Sequence, residues 1–216
     1  DYEIIIINDG LENGISKKIA EDFGCKYIFT GQRNSINKMY WRVAGFALNV
    51  GIKQCEGDLI LLQEAEVYHL DNDSINKLIE PFLNNNKKLA THPRKVYIDN
   101  GSLLKSVESG SFNNSLLKDI KYNYHAHFHY CLCLRKKTLM DIGGFDEKYM
   151  KFTCWDDQLF YDVLINNNVE FKVIEDFEAI HLFHPRINCV GHEYNKQQYE
   201  LHKHEKVMNE GIDWGM

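Results

Sequence analysis

No apolar run in the 216 residues is long enough to span a bilayer, and nothing in the sequence reads as a signal peptide. A basic excess is missing as well. Twenty-five Lys and Arg stand against 31 Asp and Glu, a formal net charge of −6. That balance argues against a nucleic-acid binder, which carries a basic face. It also means that an anionic ligand must be met by local cations or by a metal. The six cysteines, Cys25, Cys55, Cys131, Cys133, Cys154 and Cys189, form no CxxC pair and no regular framework. Free thiols in a reducing cytosol are therefore expected. Internal repeats and low-complexity linkers are absent too, so one globular domain with a full core is the expected organisation.

What the chain does contain is alternation. Residues 3–7 form an apolar run of the kind buried on both faces of a parallel sheet. A helix is expected over 14–23 with Gly24 as its stop. A strand follows over 26–30, then a helix over 45–55 closed by Glu56-Gly57-Asp58, then a strand from Leu59. This predicts a doubly wound α/β sheet. Residues 68–124 differ. A helix fits 74–83, and residues 84–88 break the pattern. The polar stretch 100–123 reads as a long loop of the kind that serves as a lid or binding loop. A strand is expected over 124–134, a short helix over 138–142 ending at Gly143-Gly144, a helix over 156–166, a strand over 169–174 and a polar helix from about 194.

The most pointed segment is Leu59-Ile60-Leu61-Leu62-Gln63-Glu64-Ala65-Glu66-Val67. An apolar strand ends in two carboxylates, which an extended chain directs to the same side. Their repulsion is relieved by a divalent cation, and oxygen ligands suit magnesium or manganese. Strand C-terminal ends are also where open α/β sheets place ligands. A polar loop after a buried strand is the plainer alternative.

Three segments together resemble one family. Residues 3–10 (Glu3 through Asp9-Gly10) form the first. Ala47-Leu48-Asn49-Val50-Gly51-Ile52, with Gly57 through Val67, forms the second. The third is Gly143-Gly144-Phe145-Asp146-Glu147 followed by Trp155-Asp156-Asp157-Gln158-Leu159. In order and spacing the chain resembles a nucleotide-sugar glycosyltransferase of family 2. The resemblance implies the GT-A fold, a Rossmann-like, mixed, mainly parallel sheet with helices on both faces. It divides a single domain, 1–216, into a nucleotide-sugar-binding half (1–67), an acceptor-side half (68–190) and a C-terminal helix (191–216).

The family's roles map onto matching positions. Asp9 would bond the uracil or ribose of a UDP-sugar, although an Asp before Gly also suits a plain turn. Glu66 would bind the metal, Mn2+ or Mg2+, with Glu64 on the ribose or a metal-bound water. Asp157 would be the base that takes the acceptor hydroxyl's proton in an inverting, hexosyl-type transfer, and Asp156 would bind acceptor hydroxyls. Both acids also suit the first turn of a helix. In Ile180-His181-Leu182-Phe183-His184-Pro185-Arg186, His184 is the first choice and His181 the second for a further metal ligand, and Arg186 suits the diphosphate. The implied acceptor is a glycan or glycoconjugate in polysaccharide or glycoconjugate synthesis, and the implied location is the cytosol or the cytoplasmic face of a membrane.

Departures from the pattern are specific. Glu stands where the family's acidic motif has Asp, which moves each carboxylate by one methylene. Leu48 stands where an Arg is common, so Arg42 or Arg33 is a candidate to supply that charge, with a solvated surface position as the plainer alternative for either. The family also opens with one more strand and helix, so the usual first strand is expected to be missing and the sequence to represent the family's domain incompletely. Two other functions compete. One is a non-catalytic GT-A-like module that binds nucleotide or glycan. The other is a zinc hydrolase built on His125, His127 and His129, which share one strand face with Cys131 and Cys133; the same face also suits the lining of an acceptor cleft, or a plain set of partly exposed histidines. His202 and His204 read as surface residues.

Overall fold

The computed structural model describes residues 1–12, 14–31, 43–85, 87–124, 131–185 and 191–216. The chain forms two compact units. One comprises Asp1–Ile60, Arg135–Asn168 and Asn188–Met216, and the other Leu61–Leu134 and Val169–Ile187. Among the described residues no helix is long and apolar enough to cross a membrane.

In the first unit β1 (Ile5–Asn8), α1 (Ile15–Asp22), β2 (Lys26–Phe29) and α2 (Gly45–Gln54) follow the expected alternation. β1 and β2 pair in parallel, with Ile5 opposite Lys26 and Asn8 opposite Phe29. The Ile run was expected to be buried on both faces; β1 is instead only partly buried along its length. Gly24 takes the left-handed conformation just past α1, at φ +66°, as a helix stop requires. Gly51 on α2 lies against Ile7, where a β-carbon would come within 2.9 Å.

The second unit holds most of a six-stranded sheet. Its elements are β3 (Leu59–Gln63), β4 (Val67–His69), α3 (Ser74–Leu83), β5 (Leu89–Ile98), α4 (Ser102–Glu108), β6 (Tyr122–Tyr124), β7 (Cys131–Arg135) and β8 (Glu170–His181). The strand order is β3-β7-β5-β8-β4, with β6 paired to β5. The sheet is mixed. β5 and β8 run parallel, whereas the β5–β6, β5–β7 and β4–β8 ladders are antiparallel, so its parallel share is smaller than expected.

Three local expectations are corrected here. β5 went unrecognised because Pro93 interrupts it. Proline cannot donate to a ladder and is confined to edges and bulges, and the β5–β8 register shifts between Pro93 and Lys95. β8 does not stop at Ile174 but runs to His181, since β5 pairs with it along its length. The supposed loop 100–123 contains α4, a 3-10 turn over Asn114–Leu117 and the start of β6. Asp99 organises its entry: its carboxylate accepts the N–H groups of Gly101, Leu103 and Leu104, each at 2.9 Å. These bonds hold the Asp99 carboxyl below its ordinary pKa although burial works against them.

The first unit is completed by α5 (Lys136–Ile142), α6 (Asp156–Asn166) and α7 (His192–His202). Gly144, at φ +71°, has no room for a side chain: a β-carbon would fall 2.3 Å from Asn49 Oδ1. Asn49 is fully buried and its amide donates to Phe145 O at 2.8 Å and to Glu147 at 2.7 Å. His202 is not a bare surface residue. Its ring stacks on Tyr149 at 3.6 Å and its Nδ1 meets Glu205 at 2.6 Å. The cysteines of β7, Cys131 and Cys133, are buried together with Leu132 and Leu134, so the polar face expected for residues 124–134 does not extend into β7. Burial pushes the Cys133 thiol up to about 12.

Candidate active site

In the second unit β3 ends at Gln63, and the next residues turn. Val67 N–H donates to Glu64 O at 3.1 Å, and Ala65 and Glu66 lie in that turn before β4 begins. The two carboxylates are therefore set by a turn and not by strand parity. The β4–β8 ladder places Val67 opposite His181, and Leu182 N–H donates to Glu66 O at 2.9 Å. His181 Nε2 lies 3.2 Å from Glu64 Oε2, with both side chains largely buried. The His184 ring is exposed, with its centroid 5.2 Å from that of His181. Glu64 and His181 are thus in contact with His184 beside them, and Glu66 is tied to the same strand end through its backbone carbonyl. Asp99 also ties the end of β8 to β5, accepting Phe183 N–H at 3.2 Å.

In the first unit Asp9 lies just beyond β1, and Thr30 Oγ donates to its carboxylate. Asn8 Oδ1 accepts Gly10 N–H at 2.9 Å, so the turn at Asp9-Gly10 is held by the asparagine and not by the aspartate. Asp156 and Asp157 open α6. Just before them, Cys154 and Trp155 both have positive φ, 73° and 74°. Two consecutive strained non-glycine residues persist only where the surroundings impose them.

Those surroundings are identifiable, and the sequence did not reveal them. Asn195 of α7 is fully buried. Its amide N–H groups donate to Thr153 O at 3.3 Å and Cys154 O at 2.9 Å. Its Oδ1 accepts Lys151 N–H at 3.2 Å and Phe152 N–H at 3.4 Å. The Trp155 indole donates to His192 Nε2 at 3.0 Å and stacks on Tyr199, whose hydroxyl donates to Asp162 at 2.8 Å. An Asn in a polar helix carries no sequence signal of this kind.

The two acids then differ. Asp156 is 5% exposed, and its Oδ2 accepts Gly45 N–H at 3.3 Å, at the first turn of α2. It caps a helix at a favourable end of the helix dipole. Asp157 is half-buried, and its Oδ1 accepts Gln158 N–H at 2.7 Å. Arg33, Arg42, Arg186, Cys189, His125, His127 and His129 lie outside the described residues.

Among the described residues no group of three or more His, Cys, Asp or Glu side chains is gathered as a ready-made metal cage. In residue type, the carboxylates and imidazoles near the acidic turn suit a divalent ion. Magnesium-type sites use one or two protein carboxylates and complete the sphere with phosphate and water, and imidazole beside carboxylate suits manganese.

Residues 1–143 match glycosyl transferase family 2. The chain belongs to that family and is a glycosyltransferase, which removes the zinc-hydrolase alternative. No curated protein matches it in sequence. Among solved structures it is similar to GalNAc-T7 with UDP, GalNAc and Mn2+, at a TM-score of 0.60 and 12% identity over 92% of this chain and 42% of that one. A mycobacterial protein gives 0.56 and 10%, over 97% and 67%. Glucosyl-3-phosphoglycerate synthase from Mycobacterium tuberculosis, with Mn2+, UDP and glucosyl-3-phosphoglycerate, gives 0.52 and 12%, over 97% and 71%. At these identities the likeness is one of fold.

Proposed function

We propose that this glycosyltransferase moves a sugar from a nucleoside-diphosphate donor, a UDP-sugar, to a hydroxyl of a glycan or glycoconjugate, with inversion and with a divalent metal. The observation that carries the reading is the acidic turn at the end of β3, with His181 on Glu64 and His184 beside it. Solved structures of the same fold contain UDP and Mn2+, which supports the donor class.

Glu66 and His184, or His181, would hold Mn2+ or Mg2+, with Glu64 next to them. When bound, the ion supplies Lewis-acid stabilisation of the departing diphosphate. Asp9 at the end of β1 bonds the nucleoside. Arg42 and Arg186 are assigned to the phosphates on residue chemistry alone. Asp157 accepts the proton of the attacking acceptor hydroxyl as the new glycosidic bond forms. Asp156 is assigned to acceptor hydroxyls from its place in the motif. Its observed bond to Gly45 gives it a share in holding α2 as well. The halves 1–67 and 68–190 serve donor and acceptor, with 191–216 bracing the base turn through Asn195. The free thiols favour a reducing compartment, the cytosol or the cytoplasmic face of a membrane. Calorimetric titration with UDP, with and without MnCl2, tests the reading. Manganese-enhanced UDP binding is expected, and no binding under either condition contradicts it.

A further inference from the structure

The second unit contains a cleft of about 500 Å³, within the roughly 300–1,000 Å³ of small-ligand sites. It lies on the sheet face opposite the acidic turn. Glu178 lines the cleft and His181 stands three residues along β8, so their side chains leave opposite faces of the sheet. Lys95 and Tyr97 on β5 share the cleft face, and the antiparallel ladder puts Tyr122 opposite Tyr97 and Tyr124 opposite Lys95. Leu70, Leu117 and the buried body of Tyr97 supply its apolar part.

Apart from Lys118 at the exposed rim, its charges are already paired. Glu178 accepts from Arg94 at 3.0 Å and from the Tyr97 hydroxyl at 2.9 Å, and Lys95 Nζ lies 3.4 Å away. Lys77 pairs with both Asp71 and Asp176. An ion that binds among these paired groups must break a pair, whereas neutral hydroxyls can share them as donors and acceptors. The tyrosines meet edge to face, at 69° for Tyr97–Tyr122 and 81° for Tyr122–Tyr124. They form no parallel slot for a planar base. Tyr122 is 42% exposed and presents an amphipathic surface to a ring with an apolar C–H side.

We propose that this cleft is a second carbohydrate site, which takes a neutral hexose unit of an oligosaccharide. The proposal stands independently of the donor reading. Ring C–H groups lie on Tyr122 and the leucines, and ring hydroxyls bond Glu178, Lys95 and Asn114 at the rim. The test is saturation-transfer NMR on the whole protein without nucleotide, using cellotetraose, maltotetraose and mannotetraose in turn. Transfer to ring protons of at least one is expected, falling at least fivefold in Tyr122→Ala and in Asn114→Trp. Asn114 is exposed, so its replacement fills the mouth and spares the core. No transfer from any of the three, or undiminished transfer in Asn114→Trp, overturns the proposal. UDP titration of the same samples keeps the two readings apart: UDP binding without oligosaccharide binding removes the cleft and leaves the donor site.

Discussion

In the unit that carries Asp157, neutral amide groups fix the acid: Asn195 takes two backbone N–H groups and gives to two backbone carbonyls of the turn before α6. In the unit that carries Glu64 and Glu66, the acids sit on a turn held by the bonds Val67 N–H to Glu64 O and Leu182 N–H to Glu66 O, and imidazoles are their neighbours. On the proposed roles the first arrangement would preorganise a proton acceptor, because a fully satisfied buried amide holds backbone geometry. On the same roles the second would offer mixed oxygen and nitrogen donors to a cation and its phosphates. The same side-chain chemistry, carboxylate, is thus set by a buried amide network in one unit and by a turn with imidazole neighbours in the other.

The sharpest way to break this contrast is Asp157→Asn. Transfer should fall by about 10²–10⁴-fold, the usual span for a general base, while UDP affinity stays as in the parent. A steady-state assay alongside calorimetry checks it, and equal activity would dismiss the base. Asn195→Ala comes next. It leaves several buried backbone groups without partners and should cost about 2–4 kcal/mol, a fall in Tm on the order of 10 °C for a chain of this size. If the turn is preorganised as described, kcat falls more than KM rises at temperatures where the variant is folded.

A smaller effect probes the second unit. His69 is held between Ser74 Oγ and Gln63 Oε1, both at 2.6 Å, and burial lowers its pKa below the ordinary 6.5. Below pH 6.5 the unfolded chain therefore binds more protons than the folded one. The stability contribution is complete above 6.5 and declines as pH falls toward the folded value. Urea melts between pH 7.5 and 5 should show that slope, and His69→Gln should flatten it. The smallest expected effect is at Lys18–Asp22 on α1, an i,i+4 pair at 2.7 Å with both side chains more than half exposed. Lys18→Ala should change stability by under about 0.5 kcal/mol.

Local signals carried much of this fold. Helices α1, α2, α3 and α6 are bounded by residues whose caps and breaks are readable, and the acidic motif and the Gly143-Gly144 turn are visible as short strings. Longer-range partners hid the rest. Pro93 argues against a strand unless the bulge against β8 is known. The second half of β8 is polar and alternates irregularly, and it becomes strand through pairing with β5. Asp99 looks like any loop aspartate until the N–H groups of α4 converge on it. Within the site, Glu64 and Glu66 were legible as types, but their turn geometry was not. His181 ranked behind His184 in the sequence, yet it is His181 that contacts Glu64. Asn195 was illegible, because its four partners lie about 40 residues away in the chain.

Manganese EPR during a UDP titration tests the assignment of the acidic turn most directly. In the parent protein UDP should draw Mn2+ from solution and quench the free-ion signal, and Glu66→Gln should leave that signal at least tenfold less affected. Equal quenching by the two proteins would contradict the assignment of the acidic turn as the metal-diphosphate site.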